Sequence, residues 1–188
     1  MPESAYITAS LSGCSFIHLD AALLMSCPFS GSKKPGSKSL SYTNYLKLDE
    51  LLALQEHKSR PPEHDETLFI IIHQTYELWF KQILHESDLL RAELNKAHTW
   101  QSIKTMRRML TIMKTLVGQI DILETMTPLS FNQFRSFLDS SSGFQSVQFR
   151  EVEMICGHRS THILEVHKDQ PQYLERMKER MKEPTIWE

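Results

Sequence analysis

IKTMRRMLTIMKTLVGQIDIL, residues 103–123, is the stretch whose reading decides the fold class. Ile103, Met106, Leu110, Met113, Val117, Ile120 and Leu123 follow one another at steps of three and four residues. That rhythm is one apolar face of a bundle helix packed at a shallow angle, and the face reads as core. The helix stops before Pro128. Toward the amino terminus, Leu68, Phe69, Ile72, Tyr76, Trp79, Phe80, Ile83, Leu90 and Leu94 repeat the pattern. They predict a long helix from an N-cap at Asp65 to about Lys96. Before it, Leu46, Leu48, Leu51, Leu52 and Leu54 make a short apolar face that ends at Pro61-Pro62. Toward the carboxyl terminus, Ser130-x-x-Gln133 reads as a capping box opening a short helix through about Leu138. Residues 139–143 form a loop, and helices follow from Ser146 to Cys156 and from Pro171 to Lys182. No internal repeat is visible, and the fold class is an all-α helical bundle.

Composition supports this reading. The 188 residues contain only 6 glycines, too few turn formers for a many-stranded sandwich or barrel. The net charge of −2 lacks the basic surplus of a nucleic-acid binder. The longest uncharged apolar run, about 21–32, falls short of the roughly 20 residues a spanning helix needs, so no membrane partner is expected. The three cysteines, Cys14, Cys27 and Cys156, fit neither a disulfide framework nor a CxxC zinc site. They point to a reducing compartment, hence a cytoplasmic protein. Residues 1–39 are rich in Ser and Gly and read as a disordered extension ahead of a helical domain over 40–188.

Polar residues where the pattern asks for apolar ones mark candidate chemistry. His73 follows Phe69, Ile70, Ile71 and Ile72, one turn after Phe69. Read alone it is either a core histidine bonded to a neighbouring helix or a histidine facing a ligand pocket. Arg135 lies four residues after Phe131, and its planar fork of donors suits a carboxylate. The alternative is an ordinary surface or capping arginine. The stretch Ser140-Ser141-Ser142-Gly143-Phe144 adds hydroxyls and backbone donors to what is otherwise a turn. His158 and His162 stand four apart, but Gly157 and the polar run argue against a helix there. The string also lacks a zincin glutamate, so no metal site is assigned. No P-loop, dinucleotide fingerprint or nucleophile elbow occurs.

Five blocks join these residues: LSYTNYL (40–46), HDETLFIIIHQTYELWFK (64–81), LETMTPL (123–129), Phe131-x-x-Phe134-Arg135-x-x-Leu138, and SGFQSVQFR (142–150). In order and spacing they resemble the tryptophan 2,3-dioxygenase family. The resemblance implies an all-helical, haem-dependent cytosolic homotetramer of the tryptophan/indoleamine 2,3-dioxygenase type. Its members use haem b and O2 to open the indole C2–C3 bond of L-tryptophan, giving N-formylkynurenine in the kynurenine pathway. By position, His73 would be the catalytic histidine that meets the indole N–H. Phe69, Phe131 and Leu138 would wall the indole, with Ile70, Ile71 and Ile72 in the same substrate-binding stretch. Arg135 would clamp the carboxylate, Ser142 and Gly143 would belong to the loop over haem and substrate, and Tyr42 and Tyr45 would reach the pocket of a neighbouring subunit.

The same resemblance places the iron-ligating histidine, and the threonine that helps hold the ammonium, beyond residue 188. Residues 40–188 are therefore expected to be the substrate-side half of the domain, incomplete at its carboxyl end and inactive alone. A different expectation is a degenerate, non-enzymatic helical module for oligomerisation or small-molecule binding. A related haem enzyme acting on another indole also remains open.

Overall fold

The computed structural model describes residues 40–139, 141, 143–168 and 170–188. The expectation of disorder over 1–39 falls outside them. Among the described residues every regular element is helical. The chain divides into two units, Met1–Leu48 and Asp49–Glu188.

In the first unit, α1 (Tyr42–Leu46) is a single turn opened by Ser41, whose hydroxyl accepts from the Asn44 amide at 3.1 Å. Lys47 in a left-handed conformation separates it from α2 (Leu48–Leu52). Leu46, Leu51, Leu52 and Leu54 are exposed and Leu48 is half-buried, so the short apolar face read from them is not buried core.

The second unit is built on α3 (His64–Asn95), 32 residues and hence about 48 Å long. Its N-cap is Glu63, two residues before the expected Asp65. The start shifts because Glu66, at the third helical position, reaches back to the preceding loop. Its carboxylate accepts from the Lys58 amide at 2.7 Å, the Ser59 amide at 3.1 Å and the Ser59 hydroxyl at 2.5 Å. Burial pushes the Glu66 carboxyl up, but the Ser59 hydroxyl and the two amides outweigh it and hold it below the ordinary range. Three residues, Lys96–His98, turn the chain into α4 (Thr99–Leu123).

The two long helices pack side by side. Ile83, Leu84 and Leu90 of α3 meet Met109, Ile112 and Leu116 of α4, and Val152 and Ile155 of α6 (Val147–Ile155) complete the cluster. This corrects the expected core face of α4. The buried row is Ser102, Thr105, Met109, Ile112 and Leu116, while Ile103, Met106, Leu110, Met113, Val117 and Ile120 are exposed. The helix carries two adjacent apolar rows about 100° apart, and small Ser102 and Thr105 let α3 approach on the second. Tyr76 donates its phenol hydroxyl to the Leu116 carbonyl at 2.8 Å, and burial raises that phenol's pKa.

Helix α5 (Pro128–Arg135) starts one turn earlier than a cap at Ser130 would allow. Thr127 is the N-cap, accepting from the Ser130 amide, and Pro128 sits at the first helical position, where its missing N–H costs nothing. A 3-10 turn over Ser136–Leu138 continues it, and a second 3-10 turn spans Gly143–Gln145. Ser146, expected as the first residue of α6, is its N-cap, and Gly157 ends the helix at φ 97°. The Gly157 amide bonds Met154 O and the His158 amide bonds Glu153 O, the paired bonds of a Schellman motif. A short helix not expected from the sequence, α7 (His162–Val166), precedes α8 (Pro171–Lys182), whose bounds match the expectation. Buried Glu151 of α6 receives Arg176 of α8 through two nitrogens, tying these helices together. Met154, Ile163 and Met177 make a second cluster beneath α7 and α8.

Candidate active site

His73 sits in the third turn of α3, and two local interactions fix its ring. Helical spacing of four residues puts it over Phe69, with ring centroids 4.2 Å apart. The same spacing places its Nδ1 2.7 Å from the Phe69 carbonyl oxygen. A carbonyl only accepts, so Nδ1 carries the proton, and in the neutral ring Nε2 is left with its lone pair. Nε2 is turned toward the Gly143–Gln145 turn. A methyl group placed on Gly143 would lie 3.9 Å from Nε2 and 4.0 Å from Cδ2.

Two cavities open beside this imidazole. One, of about 340 Å³, is lined by Phe69, His73, Glu77, Leu138, Ser141, Gly143, Gln145 and Ser146. The other, of about 210 Å³, is lined by His73, Tyr76, Glu77, Phe80, Gly143, Ser146 and Phe149. Their shared residues are His73, Glu77, Gly143 and Ser146, so the imidazole stands between them. Phe80 and Phe149 are in ring contact at 5.4 Å, and the Arg150 guanidinium lies 5.3 Å from the Phe149 ring centre.

The α5 segment brings its residues to the same place through aromatic packing. Phe134 is fully buried and meets Phe69 at 5.6 Å and Phe131 at 5.4 Å, edge to face with the latter. Phe131 lies 5.6 Å from Phe69. This triangle anchors α5 on α3 and aims the chain after it across His73. Arg135, the last helical residue, donates from Nη1 to the Asp139 carbonyl at 3.0 Å. Asp139 adopts a left-handed φ of 47°, which turns the chain out of the 3-10 segment toward Ser141 and Gly143.

The residues singled out in the sequence are thus sorted. His73, Phe69, Leu138 and Gly143 line the cavities, Phe131 backs Phe69, and Arg135 holds the start of the loop rather than the cavity wall. Ile70, Ile71 and Ile72 lie off the cavity face, because successive helical residues step by about 100°. Ile72 is buried and Ile71 exposed. Ser142 lies outside the described residues. Tyr42 and Tyr45 belong to the first unit and are 72% and 70% exposed. Tyr76, Glu77 and Phe80 were not singled out, although spacings of three, four and seven from His73 place them on its side of α3. Gln145, Ser146 and Phe149 carried no separate signal within their block.

His158 lies outside a helix and His162 opens α7, where its Nδ1 stands 3.3 Å from Glu165. Among the described residues no three His, Cys, Asp or Glu side chains gather where they could hold a metal ion. Among them, too, no helix is long and apolar enough to cross a membrane.

A family model described as Tryptophan 2,3-dioxygenase matches residues 29–186, beginning inside the stretch set apart above as 1–39. A tryptophan 2,3-dioxygenase of Herpetosiphon aurantiacus is 53% identical over 152 residues, covering 81% of this chain and 58% of that protein. One from Anaeromyxobacter dehalogenans is 51% identical over 128 residues, covering 68% and 48%. One from a Nocardioides species is 46% identical over 154 residues, covering 79% and 58%. The chain spans about half the length of the curated relatives it matches.

Proposed function

This chain belongs to the tryptophan 2,3-dioxygenase family, and on that premise we propose that it supplies the substrate side of an oxidoreductase that opens the indole ring of L-tryptophan to N-formylkynurenine. The observation that carries this reading is the orientation of His73. Its Nδ1 is committed to the Phe69 carbonyl at 2.7 Å, so Nε2 faces the cavities as an acceptor. An indole N–H is a donor with no acceptor of its own, and it complements that nitrogen. Phe69 and Leu138 on one side, and Phe80 and Phe149 on the other, give the flat apolar walls an indole requires. Arg135 lines neither cavity and is bonded to the Asp139 carbonyl, so its fork would meet the amino acid's carboxylate by turning from the start of the loop toward the cavity mouth.

The lining also fits one face of a haem: it is aromatic, it carries a single outward imidazole nitrogen, and its carboxylate, Glu77, is engaged by Gln148 at 2.8 Å. Haem b, when bound, supplies the activation of O2 that ring opening needs. The part of this chain is to bind and orient. His73 holds the indole N–H in place, Arg135 fixes the other end of the amino acid, and the aromatic walls and the turn at Gly143 keep water away. We assign the active form to a homotetramer in the cytoplasm. The two exposed tyrosines of α1, Tyr42 and Tyr45, are presented to a neighbouring subunit and complete its pocket. The small number of cysteines, without a framework spacing, supports a reducing compartment.

Calorimetric titration of the full chain with L-tryptophan and with its N1-methyl analogue tests the reading. Blocking the N–H leaves a pocket acceptor unpaired, so the analogue is expected to bind at least about tenfold more weakly. His73→Leu is expected to remove that preference. Equal binding of the two ligands by the wild-type chain refutes the reading.

A further inference from the structure

The Gly143–Gln145 turn beside His73 is contacted from behind by a residue that lines neither cavity. His167 follows α7 directly and is 2% exposed. Its Nε2 lies 3.1 Å from the Gln145 carbonyl oxygen and its Nδ1 lies 3.0 Å from the Ile163 carbonyl oxygen. Ile163 is itself seated in the cluster with Met154 and Met177. A line of direct contacts therefore runs from this second core through the imidazole to Gln145. The 3-10 turn carries it on to Gly143, beside Nε2 of His73. The turn's own closing bond, Ser146 N–H to Gly143 O at 3.1 Å, does not tie it to anything else. On the far side, Gln148 donates to the Glu77 carbonyl at 2.9 Å and to its carboxylate at 2.8 Å, fixing α6 one helical turn beyond His73.

We propose that His167 is a positioning residue of the substrate site, its Nε2–H holding the Gln145 carbonyl so that the 143–146 turn closes over His73. The proposal rests on the reading of that site as the indole pocket. It goes beyond it in assigning a role to a histidine with no place in the pocket itself. Both acceptors are carbonyls, so each bond needs its own N–H: a neutral ring donates to one of them at a time, and the anchor is the form that carries its proton on Nε2. Glutamine places an amide nitrogen where Nε2 stands, whereas asparagine reaches only to the position of Nδ1. His167→Gln therefore keeps a donor to the turn, whereas His167→Asn offers one only to the Ile163 carbonyl.

The test is amide hydrogen exchange on the full chain, read at Ser146, whose N–H reports closure of the turn, and at Met177, which reports the core beneath α7. Losing one hydrogen bond of ordinary strength is expected to speed Ser146 exchange about fivefold in His167→Asn. His167→Gln is expected to stay near wild type, with Met177 unchanged in both. Tryptophan affinity is expected to fall about fivefold in the asparagine variant alone. Ser146 exchange that responds equally to both substitutions, or not at all, overturns the proposal, as does loosening at Met177 equal to that at Ser146. Failure of the wild-type chain to bind tryptophan refutes the reading of the site but leaves the exchange comparison to decide the anchor.

Discussion

Replacing Glu66 by glutamine isolates one carboxylate at the base of the helix that carries His73. The side chain is fully buried and accepts three hydrogen bonds, from the Lys58 amide, the Ser59 amide and the Ser59 hydroxyl. The Ser59 oxygen in turn accepts from the Glu63 amide at 2.9 Å, so one acid organises the loop and the first turn together. Glutamine keeps its carbonyl toward Ser59 but turns an NH2 group against the Lys58 N–H. That leaves a buried donor facing a donor, costing about 1–3 kcal/mol. Loss of the negative charge at the helix N-terminus adds about 0.3–1 kcal/mol. The expected sum is about 1–4 kcal/mol, read as a lower urea midpoint at unchanged slope and neutral pH. The effect has a pH signature. Because the folded pKa of Glu66 is lowered, its contribution is fully present above the unfolded carboxyl value and is lost as pH falls through the depressed folded one. The gap between wild type and Glu66→Gln therefore shrinks below about pH 4. A gap under about 0.5 kcal/mol at neutral pH, or one that does not narrow in acid, refutes the reasoning.

Ala97, at φ 55°, closes a Schellman motif after α3 with bonds from Ala97 N to Leu94 O and from His98 N to Glu93 O. Ala97→Gly is expected to stabilise the chain by about 0.5–1 kcal/mol, measured by thermal or urea unfolding. Gly143→Ala adds a methyl at ordinary contact distance from His73, so the thermal midpoint is expected to hold. The space before Nε2 is filled, and calorimetry should show tryptophan binding weakened by at least about tenfold. Arg135→Lys replaces a planar fork with a point charge. It is expected to weaken L-tryptophan about tenfold while leaving tryptamine, which has no carboxylate, unchanged, as read by the same titrations.

Local residues were enough to write down much of the helical skeleton. Pro171 fixed the start of α8, Ser146 the start of α6 and Pro128 the break after α4, because a cap or a proline acts on its own backbone and needs no distant partner. His73 stood out for a related reason: an imidazole among Phe69, Ile70, Ile71 and Ile72 has to be accounted for wherever the helix packs. The errors share a cause as well. Ser130 looked like a cap only while Thr127 was read apart from Pro128. The apolar row from Ile103 to Ile120 has the spacing of a core face, yet α3 packs on the row beginning at Ser102. Periodicity shows that a helix has an apolar side. With two such rows adjacent, the shape of the neighbour chooses between them.

The sequence by itself determined an all-helical fold class, the helix ends marked by Ser146, Pro128 and Pro171, and the placing of an imidazole one turn after Phe69, all consequences of spacing along a single backbone. The tertiary structure alone decided that the Gly143–Gln145 turn lies across Nε2 of His73 and that His167, distant in sequence and absent from the cavities, fastens it there. Such contacts join residues 22 and 70 positions apart. Helical periodicity carries no information over those separations, and only the packing of α3, α6 and α7 supplies it.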